Sequence, residues 1–249
     1  MNQTSGNLKE YAVWDAGVRW FHWINVLAII GLIAVGTVIL YGKEIGVSGE
    51  GKVLLKTVHV YIGYLFCLNL LWRLTMAFVA GNRFTRWGSI LPVGEGFSRR
   101  LREYINGARA GHIPAYLGHN PLATMMVSLL FAIMLVMAIS GIVLAGTDVY
   151  MPPLGTFFAD WVTGGDADRL AQLAPGSKEF VDQALYADMR AFRKPFITAH
   201  YYGFFLLLAA VILHIAAVVI SERREKNGLV SAMFTGSKVF SEKPVDLEK

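Results

Sequence analysis

The sequence predicts an all-α integral membrane protein, a four-helix transmembrane bundle with both termini inside and a long periplasmic connection between spans three and four. Three observations predict it. Of 249 residues, 55% are hydrophobic and 16% charged, against about 45–50% and about 25% in ordinary soluble domains, and the mean hydropathy is +0.47. The apolar residues are gathered in four long runs and not spread at amphipathic spacing. Arginines and acids then segregate between alternate connections.

A bilayer core needs about 20 apolar residues of helix. The segments that meet this are approximately 21–41, 57–80, 121–145 and 196–220. The first is too long for the hydrophobic region of a cleavable signal, lacks a basic segment before it and has no clear small-residue cleavage site after it, so it reads as a retained span. Between spans two and three lie Arg83, Arg86, Arg99, Arg100, Arg102 and Arg109, and the tail 221–249 opens with Arg223, Arg224 and Lys226. The positive-inside rule places both in the cytoplasm. The connection 146–195 carries Asp148, Asp160, Asp166, Asp168, Glu179, Asp182 and Asp188 and falls on the opposite side. The excess of basic residues, 23 against 18, thereby serves orientation and contact with membrane lipid, and calls for no nucleic acid.

Two connecting stretches have helical pattern. In 97–109, Phe97, Leu101, Tyr104 and Ile105 share one side and arginines the other, as in a helix lying at the membrane surface. In the outer connection, 178–192 is amphipathic and follows the Pro152-Pro153 and Gly164-Gly165 pairs. Such a long connection calls for a role. Neither an internal repeat nor a second domain is visible, so 1–249 reads as one membrane domain.

The chemistry is bounded by a single cysteine, Cys67. It excludes a disulfide framework, a cysteine-rich zinc site and an iron–sulfur cluster held within this chain. Without C-x-x-C-H there is no covalent haem attachment. What remains is histidine. Four of the six histidines, His22, His59, His200 and His214, fall inside spans, where an ionisable side chain is costly and marks function.

The separation of fourteen between His200 and His214 is close to four full turns. Both therefore face one way, roughly 21 Å apart along the helix. Span one runs outward and spans two and four run inward, so depth pairs His59 with His200 near the outside and His22 with His214 near the inside. Two facing imidazoles suit the axial positions of a haem, whereas tetrahedral zinc wants four ligands together. Two noncovalent bis-histidine b-type haems stacked across the membrane are expected, with none of these residues catalytic in itself. Gly63 and Gly203 remove bulk beside His59 and His200. Arg73, fourteen residues after His59, and Arg19, one turn before His22, are candidates for the haem propionates. Packing histidines, or a snorkelling Arg73, are the alternatives.

VRWFHWINV around His22, VHVYIGY around His59, GHNPLA at 118–123 and the His200/His214 pair resemble the bacterial diheme b-type cytochromes that anchor periplasmic redox enzymes. AFVAGNRFTRW at 77–87 and GLVSAMFTGSKVF at 228–240 are more specifically similar to the cytochrome b subunit of membrane-bound nickel-iron hydrogenases. The resemblance covers nearly all the chain except the outer connection. It implies an inner-membrane, multi-pass respiratory-chain subunit of a hydrogen:quinone oxidoreductase complex. Electrons would enter from a periplasmic iron–sulfur small subunit at the outer haem, pass to the inner one and reach quinone near the cytoplasmic face, in an assembly that could be oligomeric. Related formate dehydrogenase anchors hold quinone at the start of the corresponding third span, which implies His119 and Asn120 here. The competing reading of Asn120-Pro121 is a helix cap.

The outer connection is longer than the resemblance leads one to expect. A multihaem cytochrome c or a molybdenum enzyme is therefore an alternative partner. A stand-alone superoxide:quinone oxidoreductase and a histidine-based metal transporter are the other classes, the second without the inverted repeat of transporters.

Overall fold

The apolar runs form four helices in the computed structural model, which describes residues 8–247; the first seven residues of the domain and the last two of its tail lie outside them. They are α1 (Ala16–Leu40), α2 (Gly49–Val79), α5 (Pro121–Val149) and α8 (Gln183–Glu225). All four are long and apolar enough to cross a membrane, and between 11% and 28% of each most apolar window is buried within the chain. Leu27, Leu68, Phe78 and Val79 are among the side chains left open. An apolar surface of this extent needs lipid as its solvent.

Shorter elements join them: β1 (Lys9–Ala12), α3 (Trp87–Ile90), α4 (Phe97–Arg109), α6 (Gly155–Thr163), α7 (Ala167–Gln172), α9 (Ala232–Thr235) and β2 (Ser237–Phe240). Helix α4 covers the stretch whose pattern predicts it. The amphipathic stretch at 178–192 differs in one respect: its helix begins at Gln183 and continues without interruption into the fourth span, giving 43 residues. The reason is local. Asp182 Oδ1 accepts from the amides of Ala184 and Leu185 at 3.0 and 3.1 Å and starts the helix well before the apolar run. Pro121 occupies the first position of α5, where its missing N–H costs nothing, and Asn120 Oδ1 accepts the Ala123 amide at 2.8 Å.

Two compact units emerge from the contacts. The first comprises the described residues up to Trp23 together with 70–132 and 208–247. Its core is Val13, Trp14, Val18, Leu117, Ala232 and Phe240. Here β1 and β2 pair antiparallel, Lys9 opposite Phe240 and Ala12 opposite Ser237. The tail beyond β2 lies along residues 115–118: Asp246 accepts the Leu117 and Gly118 amides at 2.7 and 2.9 Å, and the Val245 amide donates to the Ala115 carbonyl. The second unit comprises 24–69 and 133–207. Val143, Phe158, Val162, Val181 and Met189 form its core. Asp148 accepts from Lys56 at 2.8 Å and from Arg193 at 2.5 Å, joining α2, α5 and α8 by one carboxylate.

Candidate functional site

Each compact unit contains one of the two expected histidine pairs. In the second unit, α2 supplies His59 and α8 supplies His200. Their rings face each other with centroids 6.2 Å apart and planes inclined at 74°. A metal bound by one nitrogen from each ring at about 2 Å would give nearly this separation.

The protonation pattern of His200 follows from its neighbours. Ser140 of α5 gives its hydroxyl proton to the Val136 carbonyl at 2.7 Å and lies 3.0 Å from His200 Nδ1. Its oxygen therefore accepts from Nδ1–H. The Met137 backbone also hydrogen-bonds to the His200 imidazole. With the proton held on Nδ1, Nε2 keeps its lone pair for a metal, as second-sphere acceptors arrange for ligating histidines. His59 Nδ1 is buried with no hydrogen-bond partner among the described residues.

Glycines shape the space around the rings. A Cβ on Gly36 of α1 would stand 3.3 Å from His59 Cε1, and one on Gly141 of α5 3.5 Å from His200 Cε1. Gly63 has open space where its side chain would be, room that a flat macrocycle can use. At Gly203 a Cβ would meet the thioether of Met137 at 2.6 Å. Gly63 and Gly203 are legible in the sequence as small residues beside His59 and His200; Gly36, Gly141 and Ser140 lie on other helices and are not legible in that way. One signal was available for Gly36: it stands fourteen residues after His22, the spacing of His59 to Arg73 and of His200 to His214.

In the first unit, His22 of α1 and His214 of α8 lie within electrostatic reach of each other. His22 Nδ1 is buried and unpartnered among the described residues. Both predicted arginines stand here. Arg73 is 3% exposed, donates Nη1–H to the Thr85 carbonyl at 3.0 Å and lies 5.8 Å from the centre of the Phe131 ring. Among the described residues no carboxylate is ion-paired with it; Asp15, at electrostatic range, is engaged by Asn82 and Thr85. Arg19 donates Nη1–H to the Phe234 carbonyl and keeps a buried, unpartnered Nε. A buried guanidinium without a carboxylate is costly. Arg73 and the buried Nε of Arg19 suit a ligand that brings its own acid groups.

His119 precedes α5, and its surroundings include Lys238, Arg73 and His214. Its ring lies 4.8 Å from that of Trp14. Nδ1 donates to the Ser89 carbonyl at 3.2 Å, which leaves Nε2 as an acceptor. Burial, reinforced by the charges of Lys238, Arg73 and His214, pushes its pKa down to about 4. Asn120 is committed elsewhere: besides capping α5 it donates Nδ2–H to the Tyr104 hydroxyl at 2.9 Å and hydrogen-bonds to Glu225.

Among the described residues no three His, Cys, Asp or Glu side chains gather as a metal cage. The histidines come in pairs, so a six-coordinate metal would need four further ligands in one plane. The unpartnered imidazole nitrogens, the room at Gly63 and the unpaired arginines fit a haem at each pair.

Known proteins resemble this chain. Residues 13–236 match the family model described as prokaryotic cytochrome b561. A protein of Escherichia coli K12 named as a probable Ni/Fe-hydrogenase 1 B-type cytochrome subunit is 34% identical over 155 residues, covering 58% of this chain and 64% of that relative. Probable Ni/Fe-hydrogenase B-type cytochrome subunits of Rhizobium leguminosarum and Cupriavidus necator are 27% and 25% identical over 248 residues each, covering 93% and 95% of this chain and 90% of each relative.

Proposed function

The chain belongs to the prokaryotic cytochrome b561 family, and from that premise we propose that it is a diheme b-type electron-transfer subunit of a nickel-iron hydrogenase, linking a periplasmic iron–sulfur subunit to membrane quinone. It is a multi-pass membrane protein by its four apolar helices and its family. The observation that carries the proposal is the His59–His200 pair, two imidazoles 6.2 Å apart on different helices, one with its Nδ1 proton held by Ser140.

His59 and His200 would hold one haem and His22 and His214 the other. A haem so bound would supply one-electron transfer, its potential tuned by those histidines and their hydrogen bonds. Ser140 fixes the His200 ring, Gly36 and Gly141 let α1 and α5 approach the two imidazoles, and Arg73 and Arg19 offer N–H groups to propionates. His119, in electrostatic contact with Arg73 and His214, is placed to touch a quinone, while Asn120 holds the start of α5 beside it. The arginines of 83–109 and 223–224 support a cytoplasmic side of a bacterial inner membrane for these residues, with both termini inside and 146–195 in the periplasm. The names of the relatives support the hydrogenase partner.

A reduced-minus-oxidised visible spectrum with haem quantitation on the purified protein tests the proposal. Two b-type haems per chain are expected; a preparation that binds none would overturn it. A second reading keeps the two haems and changes the partner to another periplasmic redox protein. It is favoured by the acidic outer connection, built here as α6, α7 and the first turns of α8. Co-purification of hydrogenase subunits with the chain from its native membrane separates the two.

A further inference from the structure

The first unit buries an amine that the haem-binding residues do not use. Lys238, the second residue of β2, is 1% exposed, and its Nζ donates to the Tyr116 and Gly118 carbonyls at 3.4 and 3.2 Å. It therefore grips the residue just before His119. The charged groups around it come from three elements: Glu222 and Glu225 of α8, Asp246 of the tail, and His119 itself. Glu225 reaches the other way. It lines a surface pocket of about 670 Å³ together with His112, Arg224, Asn227 and Glu242, and its carboxylate accepts from the Tyr104 hydroxyl at 3.3 Å and from Asn227 Nδ2 at 3.0 Å. Glu225 at the pocket lies within electrostatic range of Lys238, and Lys238 within that of His119.

We propose that Glu225 and Lys238 form the proton-entry route that serves a quinone bound beside His119. The proposal rests on the function given above and adds to it the source of the protons. Reduction of a quinone to quinol takes two electrons and two protons. Each proton leaves the Lys238 ammonium for the quinone oxygen as negative charge develops there, and the neutral amine recovers one from the Glu225 carboxyl. The carboxylate is reprotonated by water in the pocket. His119 is unsuited to be the donor, because its Nδ1 proton is held by the Ser89 carbonyl and its Nε2 is an acceptor. Burial brings the Lys238 pKa down to about 8, the neighbouring carboxylates opposing the fall. That value keeps the amine charged at neutral pH, yet close to the point of release. Tyr104 is held neutral, its phenol pushed well above the usual range by burial and by Glu225; it positions the carboxylate and takes no part in the transfer.

The test uses the purified haem-loaded cytochrome in liposomes: the haems are reduced with dithionite, the excess is removed, and a short-chain ubiquinone is then added. Three quantities are followed: haem content, the rate of haem reduction, and the rate of quinone reduction between pH 6 and 9. Lys238→Met and Glu225→Gln should each slow quinone reduction by about tenfold or more, the lower part of the usual range for acid–base assistance. Haem content and haem reduction should stay as in the wild type. Added small weak acids should restore the Glu225→Gln rate, because they replace a proton carrier at a surface pocket. Wild-type quinone rates and pH profiles in both variants would overturn the proposal. If Lys238→Met fails to assemble, Glu225→Gln decides alone: a slowed rate without rescue by weak acids counts against proton entry. A wild type that binds haem and does not reduce quinone would instead overturn the functional reading beneath it.

Discussion

The imidazole rings of His59 and His200 face each other across two helices, 6.2 Å between centroids and 74° between planes. Imidazole nitrogens left unpaired in an apolar span are costly, and a metal bound between the two rings would satisfy one nitrogen of each. Replacing either residue by alanine should therefore remove one of two haems and leave the spectrum of the other. His22→Ala and His214→Ala should remove the complementary one. The measurement is haem per chain with the reduced-minus-oxidised spectrum. Retention of both haems in His59→Ala would refute the assignment of this pair.

The four histidines of the proposed haem sites are legible because helical periodicity is a one-dimensional property. Fourteen residues make nearly four turns, so His200 and His214 of α8 share a face whatever surrounds them, and Arg73 follows His59 by the same rule. The third helix carries no such mark. Ser140 and Gly141 of α5 matter only through what α8 brings to them, and a serine in an apolar run looks like many others that bond their own helix, as Ser140 also does with Val136. The start of α8 was obscured for another reason. Apolar length marks 196–220, whereas the helix begins at Gln183 because Asp182 caps a polar stretch that hydropathy ignores. The tail was hardest to read: the buried Lys238 and the bonds of Asp246 to Leu117 and Gly118 join residues more than a hundred positions apart.

Ser140 should tune one haem and not the other. By accepting from His200 Nδ1–H it makes the ligand more basic and favours ferric iron. Ser140→Ala is expected to raise the midpoint potential of the His59/His200 haem and to weaken its retention, within the roughly 10–100-fold that such partners are worth. The Met137 backbone, which also hydrogen-bonds to the imidazole, limits the effect. Redox titration of the two haems in one sample reads it, with the His22/His214 haem as internal control. Equal shifts in both would rule out a local hydrogen-bond effect.

The glycines separate by what a side chain would strike. At Gly36 a Cβ already stands 3.3 Å from His59 Cε1, and a larger group must displace the ring. Gly36→Leu should thus lower haem from two per chain toward one. At Gly203 the obstacle is the end of the flexible Met137 side chain, which can swing away. Gly203→Ala should keep both haems. Haem quantitation on the two variants checks the contrast, and the reverse order of sensitivity would contradict the placement of α1 against His59.

His119 gives a pH dependence whose sign is fixed by its surroundings. Folding lowers its pKa from 6.5 to about 4, so the unfolded chain binds more protons between those values. Its contribution to stability is complete above pH 6.5 and is lost as pH falls toward 4, by no more than about 3 kcal/mol. A glutamine in its place would still donate to the Ser89 carbonyl but would not titrate. The His119→Gln variant should accordingly lose less thermal stability than the wild type between pH 6.5 and 4, while the two respond alike above pH 7. Thermal unfolding in detergent at a series of pH values provides the measurement. Parallel curves throughout would mean that His119 is not held neutral by burial and by the charges of Lys238, Arg73 and His214, and that the pocket around it is open to water.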